Sequence, residues 1–156
     1  MMARGARIAT PQEEPVEVLY TAEATATGGR KNGRAWSSDG AIDVQINPPK
    51  EVGGSGEGTN PEQLFAAGYA ACFDNALASV ARMEKLTPGQ TTTTTTTALV
   101  ALAKHPEGGF ALAVELRVAI PDLPRDQAED LLAKAHKRCP YSRATRGNVE
   151  VRLTLV

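Results

Sequence analysis

The chain holds two cysteines, Cys72 and Cys139, and two histidines, His105 and His136. A thiolate is a nucleophile toward peroxides and disulfides, and two thiols that meet in space can cycle through a disulfide. In a reducing compartment, cysteines this far apart in sequence are two free thiols or a cycling pair rather than a permanent staple. Position alone leaves Cys72 open to two readings. It lies in the apolar run LFAAGYAACF, where a cysteine is commonly a small buried hydrophobe with an inert thiol. To act as a nucleophile it needs a nearby cation. The start of its own helix lies roughly three turns away, beyond the reach of the helix dipole. A side-chain cation must serve, and arginine is suited because it stays charged when desolvated. Cys139 ends a second helical segment, where the dipole opposes thiolate formation. It fits a second, resolving step, or a structural role.

Other chemistries are poorly supported. His136 and Cys139 form a His-x-x-Cys pair that Cys72 and His105 could complete, but the spacing matches no usual zinc pattern and two basic residues divide the pair. No metal and no cofactor is expected; singly, both histidines read as surface residues. Ser37, Ser38 and Asp39 sit in a turn without a nucleophile-elbow setting. The Pro- and Gly-rich segment Asn47 to Asn60 lacks the Gly-Lys-Ser/Thr ending of a phosphate cradle, and reads as a flexible connection or a lid. Formal net charge is −1 with no polybasic run, which argues against nucleic-acid binding. No apolar stretch is expected to reach the ~18 residues of a membrane span. Residues 1–15 lack an apolar h-region, so they read as a disordered tail and the address as cytoplasmic.

The elements that must position these groups follow from periodicity and turn residues. Val16 to Thr27, Arg34 to Ser37 and Ala41 to Ile46 read as a three-strand meander with turns at Gly28-Gly29 and Asp39-Gly40. Asn60 as N-cap, Pro61 at the first helical position and Gln63 in a capping-box-like place open a helix to about Lys85. Its first half is apolar nearly all round and should be buried on most sides. The threonine tract Thr91 to Thr97 leads a strand from about Thr92 to Ala103. Phe110 to Ile120 alternates as a further strand, Pro124 to Arg138 forms a second helix that Pro140 stops, and Asn148 to Val156 closes as a strand. The order βββ-α-ββ-α-β is α+β, a single domain over 16–156, and disfavours a doubly wound nucleotide fold. With one Trp, three Tyr and three Phe, large core residues are few, which is in keeping with a core completed by a partner chain.

Three segments resemble the organic hydroperoxide resistance proteins, the Ohr branch of the OsmC/Ohr family: LYTAEATATGGR (Leu19 to Arg30), GTNPEQLFAAGYAACF (Gly58 to Phe73) and CPYSRATRGNV (Cys139 to Val149). The resemblance implies an OsmC/Ohr-like fold, an antiparallel sheet packed around a long buried helix in an intertwined homodimer. It implies Cys72 as the peroxidatic cysteine, Cys139 as the resolving one, Arg30 as the activating arginine and Glu62 as the carboxylate that holds it. The implied activity is reduction of alkyl and fatty-acid hydroperoxides, reset by a lipoyl-bearing protein or another dithiol. Leu64, Phe65, Tyr69 and Phe73 would supply an apolar substrate wall. Rival readings are a small-molecule or lipid-binding module of the same fold without turnover, and a redox sensor. Arg143 stands where the family pattern has Asn, and Asp74 is an unexpected acid near Cys72. Glu62 and Cys72 lie roughly 15 Å apart along one straight helix. The Arg30 and Glu62 that serve a given Cys72 are therefore expected from a partner subunit, unless the helix bends near Gly68.

Overall fold

The computed structural model describes residues 17–86 and 94–156. The element order is β1 (Ala24–Thr27), β2 (Gly33–Ser37), β3 (Asp43–Ile46), α1 (Pro61–Met83), β4 (Thr95–Lys104), β5 (Phe110–Ala119), α2 (Arg125–Arg138), α3 (Pro140–Thr145) and β6 (Val151–Leu155). The expected disordered tail over 1–15, and the first residues of the threonine tract, lie outside the described residues.

The fold is the expected α+β with a long helix packed on the strands, but the pairing is not antiparallel throughout. There are two three-stranded sheets, β1-β2-β3 and β4-β5-β6, and β6 pairs parallel to β5, Val114 opposite Val151 and Val118 opposite Leu155. The physical reason is the intervening pair of helices, long enough to carry the chain back to the starting edge, as a parallel connection requires. β4 and β5 form an antiparallel hairpin registered Thr95 to Ala119 through Lys104 to Phe110. Alternate residues Val114, Leu116 and Val118 of β5 are buried, the period-2 pattern of a half-covered sheet.

On this sheet lies α1, whose buried residues Tyr69, Phe73, Ala76, Leu77, Val80 and Ala81 recur at i, i+4, i+7, i+8 and mark one face. From α2, Ala128, Leu131, Leu132 and Ala135 complete the core. The first half of α1 is less buried than its composition predicts: Ala67 and Ala71 are exposed and Leu64 only half-buried. Among the described residues, no element of the same chain covers that side. The best 18-residue window of α1 reaches a mean hydropathy of 1.3, which the sequence reading did not anticipate. Length and hydropathy would suit a membrane crossing, but Phe73 and Leu77 of this helix are wholly enclosed by the chain's own core.

The N-terminus of α1 is built as expected. Asn60 Oδ1 accepts from the Gln63 backbone N–H at 2.9 Å, and Pro61 occupies the first turn, where its missing N–H costs nothing. The segment before it is folded back on itself rather than a free lid. It contains a 3-10 turn, Lys50–Val52, and returns Thr59 beside Ile46 in a parallel bridge. Pro140 does stop α2, but it also starts α3. Its fixed φ suits the first helical position, so the same ring ends one helix and begins the next.

The opening strand is much shorter than the expected Val16 to Thr27. Ladder pairing begins at Ala24, opposite Ser37, and one more backbone bond, from the Ser38 N–H to the Glu23 carbonyl at 2.9 Å, follows before β2 runs into its turn. Upstream of it Val18, Leu19 and Tyr20 are 73, 89 and 80% exposed.

Candidate active site

The two cysteines meet. Cys139 Sγ lies 3.6 Å from Cys72 Sγ, and both are free thiols. Cys72 is brought there by the middle of α1. Cys139 is placed by the corner between α2 and α3, where it is at once the last cap of one helix and the first of the other. Cys139 has no exposed surface, whereas Cys72 is partly open. A disulfide needs a sulfur separation of about 2.05 Å, so the pair stands a short movement from bonding.

Three influences act on the Cys72 thiol. Burial pushes its pKa up and is the largest of them. The backbone N–H of Tyr141, directed at the sulfur, pulls it down, and the neighbouring Cys139 pushes it up again. Among the described residues, no cation of the same chain contributes. These influences together hold the Cys72 thiol above its ordinary pKa, which weakens it as a nucleophile.

Arg30 is held elsewhere. The turn Gly28 to Gly33 delivers it: Gly28 adopts φ +77°, and a Cβ on Gly33 would collide with the Gly29 carbonyl. The guanidinium then donates two hydrogen bonds to Glu62, 2.8 and 3.1 Å long, the bidentate geometry that favours arginine over lysine. Arg30 holds the Glu62 carboxyl below the usual range against an opposing push from burial. Because Glu62 sits in the first turn of α1 and α1 runs unbroken through Gly68 to Met83, this ion pair stands roughly 15 Å along the helix from Cys72. The Arg30 side chain remains 54% exposed, with its outer edge open to a second molecule.

The proposed apolar wall divides. Leu64 and Phe65 line a groove of about 700 Å³ with Leu112, Tyr141 and Val149. Phe65 also borders a second groove of about 570 Å³ that reaches Arg30 and Glu62. Tyr69 and Phe73 have no exposed surface and reach neither groove. They face the core because they share the buried stripe of α1.

Asp74 is turned toward β4, where it accepts hydrogen bonds from Thr94 at 2.9 Å and Thr96 at 3.4 Å. Arg143 is exposed, and its backbone N–H bonds the Cys139 carbonyl. Reading the sequence missed the Tyr141 N–H, because a backbone donor leaves no residue-type signal. It also misplaced His136, which is half-buried against Ser142 at 2.9 Å. No group of three or more metal-binding side chains occurs among the described residues.

The chain belongs to the OsmC-like protein family, whose model matches residues 54–154. Within that family its relatives include organic hydroperoxide resistance proteins. One from Xanthomonas axonopodis pv. citri is 54% identical over 143 residues, covering 90% of this chain and 97% of the relative. A crystal structure of such a protein from Legionella pneumophila superposes with a TM-score of 0.83 at 47% identity, covering 89% of this chain and 98% of that one. That of OhrB from Bacillus subtilis gives 0.79 at 46% identity, covering 89% and 100%.

Proposed function

We propose that this protein is a thiol peroxidase that reduces organic hydroperoxides to alcohols, with Cys72 as nucleophile and Cys139 as resolving thiol. The observation that carries the reading is the 3.6 Å approach of the two sulfurs from separate elements. The Cys72 thiolate attacks the distal peroxide oxygen. The O–O bond breaks, the alkoxide leaves and takes a proton to become the alcohol, and Cys72 becomes a sulfenic acid. The Cys139 sulfur then attacks that of Cys72, expels hydroxide as water, and forms the disulfide. An external dithiol, a lipoyl group in this reading, returns both cysteines to thiols and is itself oxidised to a disulfide.

The activating cation in this reading is Arg30 of a second subunit, with Glu62 holding it. Its support is the separation of the Arg30–Glu62 pair from Cys72 of the same chain, the exposed apolar side of α1 and the exposed Val18, Leu19 and Tyr20. A homodimer that covers these surfaces brings one subunit's Arg30 to the other's Cys72. Leu64 and Phe65 favour an apolar tail, so alkyl and fatty-acid hydroperoxides are the substrates and a cytoplasmic address suits the dithiol. The test is consumption of cumene hydroperoxide with dihydrolipoamide or with a monothiol as reductant. Turnover with dihydrolipoamide, abolished in Cys72→Ser, is the expected result. Normal turnover by Cys72→Ser, or none by well-folded wild type, overturns the reading.

A further inference from the structure

Beneath the two cysteines lies a continuous polar chain that the reaction scheme does not use. Tyr69 Oη is 2.9 Å from Ser142 Oγ and 3.2 Å from Thr145 Oγ1, and Ser142 Oγ is 2.9 Å from His136 Nδ1. Tyr69 and Ser142 have no exposed surface, and Thr145 only 5%. Each of the three central groups stands three residues from a cysteine: Tyr69 precedes Cys72, His136 precedes Cys139, and Ser142 follows it. The chain therefore joins α1, the end of α2 and α3, the three elements that hold the sulfurs.

The hydrogens can be counted. The Thr145 hydroxyl donates its one hydrogen to the backbone carbonyls of Tyr141 and Ser142, at 3.0 and 3.1 Å. Thr145 then accepts from Tyr69, Tyr69 accepts from Ser142, and Ser142 accepts from the Nδ1–H of His136. One proton per group satisfies the whole chain. Burial, and then the charge of Arg146, hold the His136 pKa below its ordinary value, and both the neutral Nδ1–H form and the imidazolium provide the donor. A fully satisfied buried network rigidifies what it joins, and removing one member leaves the others unpaired. Arg146 adds a further tie, donating to the His136 carbonyl at 2.8 Å.

We propose that His136, Ser142 and Tyr69 form a positioning unit that fixes the Cys139 corner against α1 and so governs how readily the two sulfurs join. The proposal rests on the reading of Cys72 and Cys139 as a cycling pair. It extends that reading to residues outside the sulfur pair, joined to one another by hydrogen bonds.

The test uses the full-length protein equilibrated with mixtures of reduced and oxidised dithiothreitol, the disulfide fraction being read by alkylation and mass. Tyr69→Phe keeps the ring in the core, and Ser142→Ala removes the central link. Each is expected to lower the equilibrium constant for disulfide formation about tenfold, a rise of about 30 mV in reduction potential. The double variant is expected to lose no more than the larger single loss, as members of one network are non-additive. Val118→Ala, in β5, serves as the comparison: it lowers Tm through a core cavity and is expected to leave the equilibrium constant unchanged. An unchanged constant in both network variants, or an equal shift in Val118→Ala, overturns the proposal. Wild type that forms the disulfide but consumes no hydroperoxide overturns only the peroxidase reading. Wild type that forms no intramolecular disulfide overturns both.

Discussion

For the proposed homodimer, the separation of Arg30 from Cys72 makes a quantitative prediction for mixed dimers. Take Cys72→Ser, inactive alone, and Arg30→Ala, impaired alone. Loss of a cation within about 4–6 Å of a thiolate raises the thiol pKa by about 1–3 units, so Arg30→Ala costs about ten- to thousandfold in rate near neutral pH. Unfold the two variants together and refold them at equal concentration. Random pairing puts one of each in about half of the dimers. If Arg30 serves the partner's Cys72, each mixed dimer contains one complete site, Cys72 from the Arg30→Ala subunit and Arg30 from the Cys72→Ser subunit. Its other site lacks both groups. Half the dimers with one site in two give about one quarter of wild-type activity. If Arg30 serves its own chain, every site in the mixed dimer lacks one group and the mixture is no more active than the separate variants. Initial rates of hydroperoxide loss, normalised to a co-refolded wild-type sample, distinguish these outcomes. A mixture with no gain over its components refutes the cross-subunit site.

Two further outcomes follow from the geometry. Gly68→Ala should gain about 1 kcal/mol of helix propensity, but its Cβ would lie 2.9 Å from the Tyr141 hydroxyl. Tyr141 is 40% exposed, so its ring can swing out, forfeiting packing on Phe65 and Tyr69 worth about 0.5–1.5 kcal/mol; Tm should move by only a few degrees while the near-ultraviolet tyrosine signal changes. The Glu62 pKa is depressed in the folded protein, so the pair's stabilisation is present above the unfolded carboxyl pKa and is lost as pH falls through the folded one. With Arg30 half exposed, the contribution is at most about 1 kcal/mol, and Glu62→Gln should flatten the acid limb of a plot of stability against pH by that amount.

Much of this arrangement is readable in the residues. The start of α1 is written in Asn60, Pro61 and Gln63, whose side-chain and backbone chemistry acts within one turn. The core strand Phe110–Ala119 shows in its alternation. Pairing of Cys72 with Cys139 came from resemblance, because no local rule ties two residues on separate helices. The parallel partner of β5 was missed for the same reason: a strand's own sequence carries alternation but not the direction of its neighbour. Tyr69 was read as substrate wall because it is aromatic beside the nucleophile. Only the packing of α1 on β4 and α2 settles which face of the helix looks inward. His136 looked like a surface residue because its partner, Ser142, lies across a helix break that the sequence reading did not continue into α3.

The opening meander has almost no core of its own. Among its strand residues only Gly33 and Ile46 are buried, and three strands without a covered apolar face are marginally stable in water. Its links to the rest of the chain include the Thr59 bridge and the Arg30–Glu62 pair. In hydrogen exchange such a segment opens as an early, low-energy unit while the helical body stays protected. Arg30 travels with it. In the proposed dimeric peroxidase, gentle warming, or dilution that separates the subunits, would thus silence the protein well before its helices melt, and activity rather than helicity would be the sensitive gauge of its integrity.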